Sequence, residues 1–423
     1  MGQTFVEKVL SRSAKKNIKA GEIAVVEPDF SLATDNTARI ARQFNSIGVE
    51  KVWDPAKIVV VFDHTVPCST EEYANSHKIG REFIRSQQIE HFYDLQSCGG
   101  VCHQVMCEKG YAAPGLVIVG SDSHTCTSGA MNALAVGIGH TETASIWATG
   151  VIWLSCPESI KIVLDGKFKP GVSAKDLILT IIGDLGSDGA NYRSIEFHGQ
   201  GVLDMSIASR MTLCNMAVEA GAKNAVCPPD EKLLSFITPI AKTSHWQPTW
   251  ADKDAKYFCE MHYDLGDIVP SVAKPHRVDN YSPVSEVAGI PIDQVFIGSC
   301  TNARLEDLQA AAALLKGKHV KVRTIVAPAS HEILHAALLD GTVTTLVEAG
   351  CTIYTPGCAC CFGAAGGILA DDEICVATSN RNFKGRMGSR SSSLYLASPY
   401  TAAASAVAGK LCDPREFFRR DTP

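Results

Sequence analysis

No stretch of the 423-residue chain approaches the length of a membrane-spanning helix. The N-terminal segment MGQTFVEKVLSRSAKK lacks the long apolar core and the cleavage pattern of a secretion leader. It begins Met-Gly, but Val6 stands where myristoylation needs Ser or Thr. Phe5, Val6, Val9 and Leu10 are spaced instead for one face of a helix. Charge of one sign is also scarce: 39 Lys and Arg stand against 45 Asp and Glu, the formal net charge is −6, and no block of like charges occurs. That excludes the basic stripe expected of a nucleic-acid-binding surface. The small negative balance weakly repels anions, so any carboxylate site must gather its own Arg, Lys, metal or helix N-termini. There is no short-period repeat and no low-complexity segment. With 46% apolar and 20% charged residues, these absences predict a globular protein of the cytoplasm.

Cysteine is not scarce. The sixteen cysteines are mostly scattered among apolar neighbours, as at Cys156, Cys214, Cys227 and Cys375. Such residues read as small buried hydrophobes, and a disulfide scaffold does not suit a chain of this length without a secretion signal. The exception is TPGCACCFG, residues 355–363, with Cys358, Cys360 and Cys361. A C-x-x-C after a strand fits a redox pair at a helix start. Zinc needs a closed set of four ligands, commonly two close pairs, and only one close pair exists. Cys300 supplies a third sulfur. Three thiolates with one open position fit an iron–sulfur cluster with an unligated iron.

Length favours two or three domains. Short β-branched runs recur at 57–65, 115–125, 294–302, 321–330 and 373–382, with helical patterns between them. Ser173-Ala-Lys-Asp176 is a capping signal ahead of Leu177, Ile178, Ile181, Ile182 and Leu185. The fold class is α/β with parallel-rich sheets flanked by helices. A fresh strand at 156–171 and a polar, linker-like segment at 274–289 divide the chain into units 1–157, 158–284 and 285–423.

Reactive residues follow the strands. Asp63 and His64 end one; Asp122, Ser123 and His124 end another; Cys300 ends a third; Asn380 and Arg381 end a fourth. Ligands of open parallel sheets bind beyond the carboxyl ends of the strands, so four such ends predict one shared cleft. His103 lies in a Gly-rich segment that follows another strand. Asn215 and Glu219 are four apart, so they are expected to share one helix face. Arg381 and Arg386 lie in a Gly-punctuated polar loop, and their planar forks suit carboxylates.

Together these stretches resemble the aconitase superfamily, in particular its branch of 3-isopropylmalate dehydratase and homoaconitase large subunits. The motifs are DHTVP (63–67), CHQV (102–105), GSDSHT (120–125), EFHG (196–199), CNMAVEAGA (214–222), IGSCTN (297–302), PGCACCFG (356–363) and SNRNFKGRMG (379–388). They run in the family's order over nearly the whole chain.

The resemblance implies a three-domain core with a [4Fe–4S] cluster in the cleft between domains. Cys300, Cys358 and Cys361 would hold it and Cys360 would not. It pairs Asp63 with His64, Asp122 with His103 and Glu219 with His124 as catalytic residues. It assigns Ser123, Asn215, Asn380, Arg381 and Arg386 to substrate binding. The implied activity is a hydro-lyase that isomerises a hydroxy di- or tricarboxylate by dehydration and rehydration, first of all 3-isopropylmalate in leucine biosynthesis. Homoaconitate, dimethylmalate and a cluster-free RNA-binding relative are the alternatives. The family's swivelling domain, with the proton-abstracting group, is not in this sequence. A separate small subunit is therefore the expected partner, with neither nucleic acid nor membrane.

Overall fold

The computed structural model describes residues 2–97 and 99–418. Three parallel-rich sheets carry the chain. The first runs His91–Tyr93, Ile58–Val61, Phe30–Ala33, Val117–Gly120 and Leu134–Gly137 in spatial order, all parallel. The second has four parallel strands, Asn224–Val226, Ser194–His198, Ser159–Asp165 and Cys259–Asp264. The third has seven strands and a parallel core of Ser393–Ala397, Ile374–Ala377, Gln294–Ile297, Arg323–Val326 and Thr352–Ile353. A two-stranded antiparallel ribbon, Ile23–Val26 with Ile152–Ser155, stands apart from them.

The central strands explain their own burial. Ile58–Val61, Val117–Gly120 and Gln294–Ile297 are buried at every position, as continuous apolar runs covered on both faces must be. The N-terminal helix Phe5–Ser13 is fixed by a Thr4–Glu7 capping box and buries Phe5, Val6, Val9 and Leu10. These pack against Val117, Leu134 and Val136 of the first sheet. The Ser173–Asp176 capping box starts the helix Ala174–Leu185 as the sequence predicts. Its Asp176 carboxylate also accepts from the Ser271 backbone N–H, 2.9 Å, which ties this helix to the third sheet.

The segment 274–289 is not the linker expected from its composition. Tyr281–Pro283 pairs antiparallel with Ser271–Ala273, which pairs with Ser393–Ala397, so both strands extend the third sheet. Pro283 is tolerated because its strand is the outermost of the sheet, where a missing N–H costs nothing. The division into units 1–157, 158–284 and 285–423 is therefore retained as a proposal only; residues 419–423 of the last unit lie outside the described residues.

Candidate active site

The strand ends and loops of the first and third sheets meet at one cleft. Asp63, His64, His103, Asp122, His124, Cys300, Cys358, Cys361, Asn380, Arg381 and Arg386 all line it. Of the remaining expected residues, Asn215 and Glu219 stand immediately behind this wall, and Ser123 touches Arg381.

Asp63 follows its strand directly and organises the first sector. One carboxylate oxygen lies 2.6 Å from His64 Nδ1; the other accepts from the Cys102 N–H, 2.7 Å. The Asp63 carbonyl accepts from the Cys358 N–H, 2.8 Å, so the cysteine loop hangs from the same residue. His64 Nε2 is 3.5 Å from Asp122. Burial pushes the His64 imidazolium down, but Asp63 and Asp122 outweigh it and hold His64 well above the ordinary histidine value.

Asp122 caps the 3-10 turn Ser123–Met131 and accepts from the His124 N–H, 2.8 Å. His103 Nε2 is also 2.8 Å from it. Burial opposes the Asp122 carboxylate, yet His103, His124 and His64 draw it well below the usual range. His124 Nε2 lies 2.8 Å from Glu219, and Arg381 Nε donates to the same Glu219 oxygen, 2.8 Å. Burial and Arg381 press His124 down; Asp122 and Glu219 raise it to a net upward shift.

Asn215 and Glu219 do not share one α-helix. The helix Ile207–Met216 ends between them, and Glu219 sits in the tighter turn Ala217–Ala220. The change of winding sends Asn215 toward Thr127 and Thr301, while Glu219 reaches His124.

The three expected sulfurs face the cleft. Asn380 Nδ2 is 3.1 Å from Cys300 Sγ, and Cys361 Sγ is 3.4 Å from Ser299 Oγ. Hydrogen bonding to Cys361, together with burial, pushes the Cys358 thiol well up; the same contact, with Arg386 nearby, draws Cys361 well down against burial. Burial raises Cys300 to about 11. Cys358 and Cys361 are close enough to share a hydrogen bond, and the ligand atoms of His103, His124 and Cys300 lie within 4.8 Å of one another. Among the described residues, His103 Nδ1 and Arg386 Nε are buried without a hydrogen-bond partner, which fits a site that binds a further group.

Cys360 is fully buried and does not line the cleft; burial, with Cys375 of the core, pushes its thiol well up. The loop geometry explains this. Ala359 takes a left-handed φ of 50°, which turns Cys360 inward and returns Cys361 to the cleft. Gly363 is also left-handed, at φ 73°, and a Cβ there would lie 2.7 Å from the Arg386 carbonyl.

Sequence reasoning missed Arg304 and Lys175. Arg304 donates to the carbonyls of Cys300 and Thr301, each at 2.7 Å. Lys175 is wholly buried and donates to the carbonyls of Thr378 and Ser379. A signal existed for Lys175: a cation in the first turn of a helix opposes the macrodipole and asks for a compensating reason.

Comparison with known proteins adds three findings. The family model described as aconitase family (aconitate hydratase) matches residues 7–289 and 285–409. The chain is 52% identical to a protein named 3-isopropylmalate dehydratase large subunit 1 from Methanopyrus kandleri, over 99% of this chain and 100% of that one. It is 50% identical to a probable methanogen homoaconitase large subunit from Methanosarcina mazei, over 93% of this chain and 100% of that one. Among solved structures, Thermococcus kodakaraensis aconitase X (holo-form) shares the fold, with a TM-score of 0.51 at 12% identity, over 85% of this chain and 84% of that one.

Proposed function

The chain belongs to the aconitase family, and from that premise we propose that it is the large subunit of an iron–sulfur hydro-lyase acting on a small hydroxy di- or tricarboxylate, with 3-isopropylmalate as first choice. The observation that carries this reading is the convergence of three thiols, three His–carboxylate pairs and two arginines on one cleft.

A [4Fe–4S] cluster held by Cys300, Cys358 and Cys361 would supply a Lewis-acidic open iron there. The protein's own residues account for the rest. His64, kept protonated by Asp63 and Asp122, holds a proton for a leaving hydroxyl. Arg381 and Arg386 line the same cleft and offer planar forks to substrate carboxylates. Glu219 orients both Arg381 and His124 through one carboxylate oxygen, so the two cations keep a fixed relation. Asn380 donates to the Cys300 sulfur and stabilises it as a thiolate. The group that takes the carbon-bound proton comes from a separate small subunit, consistent with relatives named large subunits. A cytoplasmic location completes the proposal; no described helix is long and apolar enough to cross a membrane.

Homoaconitate is the second reading, favoured by the homoaconitase name of one full-length relative. The test is anaerobic purification with and without a co-expressed small subunit, followed by iron and sulfide counts and hydratase assays on a panel of hydroxy acids. A brown protein that hydrates one substrate only with its partner establishes the class and names the substrate. A colourless, iron-free protein, inert after reconstitution, overturns it.

A further inference from the structure

Lys175 is among the largest wholly buried side chains of the protein. It forms no salt bridge among the described residues. Its ammonium instead donates to two successive backbone carbonyls, Thr378 at 2.9 Å and Ser379 at 2.6 Å. Lysine is almost never fully buried unless paired, so this placement calls for a local source of negative charge.

The two carbonyls belong to the strand end that delivers the cleft. Asn380 and Arg381 follow directly, on Cys300 Sγ and Glu219 respectively. The Thr378 hydroxyl accepts from the Gly298 N–H, 2.9 Å, and also faces the carbonyls of Gly298 and Asn302. Thr378 thus braces the Cys300 loop at both ends, and Lys175 braces Thr378. Burial pulls the Lys175 ammonium down to about 7, while Cys361, Asp307 and Cys300 pull it up, which places the thiols of the cleft within its electrostatic reach. The lysine is carried by the helix of the second sheet, and its targets belong to the third.

We propose that Lys175 is a positioning residue of the cysteine site: its buried amine fixes the 378–381 strand end from behind, and in its ammonium form, favoured by the negative charge that three thiolates and their cluster bring, it tunes that cluster. The inference rests on the cluster reading above and adds to it a residue outside the cleft that tunes the cluster. The two carbonyls alone would be served by any neutral donor; the choice of an ammonium is explained by the thiolates.

The test compares Lys175→Gln and Lys175→Met with wild type, each purified anaerobically with the small subunit. Gln retains a donor and removes the charge; Met removes both. Melting temperature, iron content, the reduction potential of the bound cluster and steady-state kinetics are measured together. The expected result is a downward shift of the potential in both variants, because a nearby cation favours the more negative, reduced cluster. Lys175→Met additionally raises KM about tenfold, as Arg381 loses its fixed backbone, while Lys175→Gln leaves KM within about twofold. A merely structural lysine would lower the melting temperature and leave the potential unmoved. If Lys175→Met does not fold, Lys175→Gln carries the test. An unchanged potential in an iron-loaded Lys175→Gln overturns this inference alone. A wild type that takes up neither iron nor sulfide overturns the cluster reading and this inference with it.

Discussion

His64, His124 and Asp122 form a charge-coupled set whose contribution to stability has a definite sign. His64 and His124 are raised in the fold, so their contribution is complete below the ordinary histidine value and is lost as pH rises through the raised one. Asp122 is depressed, so its contribution is complete above the ordinary carboxylate value and is lost as pH falls through the lowered one. Both are intact between about pH 4 and about pH 6.5. Asp122→Asn is expected to flatten the acid limb of melting temperature against pH and to move the alkaline limb of the kcat profile to lower pH. An unmoved alkaline limb would mean that His64 is not the group titrating there. Cys300→Ala is expected to abolish stoichiometric iron, read by metal analysis, with a melting temperature close to that of the wild-type apo-protein. Ala359 carries a left-handed φ of 50°, so Ala359→Gly should stabilise the apo-protein by about 0.5–1 kcal/mol in denaturant melts, since glycine carries no Cβ penalty there.

At the scale of elements, capping and apolar periodicity predicted the helices Phe5–Ser13 and Ala174–Leu185, and the residues expected at the strand ends do meet at one cleft. The helices Phe5–Ser13 and Ala174–Leu185 start on their capping boxes because Thr4, Glu7, Ser173 and Asp176 satisfy otherwise unpaired N–H groups locally. Thr4→Ala should cost about 1 kcal/mol of stability and leave iron content unchanged, since its partners lie within the first turn. A loss of iron in that variant would show that the N-terminal helix reaches the cleft. Strands such as Phe30–Ala33, Ser194–His198 and Ser393–Ala397 were not marked by the sequence, and two further features show why local pattern falls short. The strand Tyr281–Pro283 carries a proline and polar neighbours, so nothing local marks it; only an available sheet edge makes it a strand. The break between Asn215 and Glu219 is likewise silent, because Met-Ala-Val is compatible with continued α-helix and the tighter turn is selected by the partners each side chain finds.

For the whole molecule, the cleft is assembled across units that are distant in sequence. Residues 99–101 meet 329–331, where Gly100 bridges Ser330 and the Val101 N–H donates to Ala329. Ser69 Oγ donates to Ala364 beside the cysteine loop, and Asn215 bonds both Thr127 and Thr301. These contacts join segments distant in sequence around the cleft. Under the proposed function, activity of the iron-loaded large subunit should be negligible alone and rise saturably with added small subunit, while its iron content stays constant. Activity independent of the partner would remove the small subunit from the mechanism.

By itself the sequence determined the α/β class, several of the parallel strands, the capped helices Phe5–Ser13 and Ala174–Leu185, and the identity of the residues that gather at the cleft. It could do so because parallel strands need continuous apolar runs and because reactive residues mark the strand ends. Only the tertiary structure decided that Asp122 also faces His64 and His124, how the backbone turns Cys360 inward while its neighbours face the cleft, and that Lys175 and Arg304 stand behind the cysteines. Those outcomes depend on backbone turns and on contacts between residues as many as 204 positions apart, which no local pattern encodes.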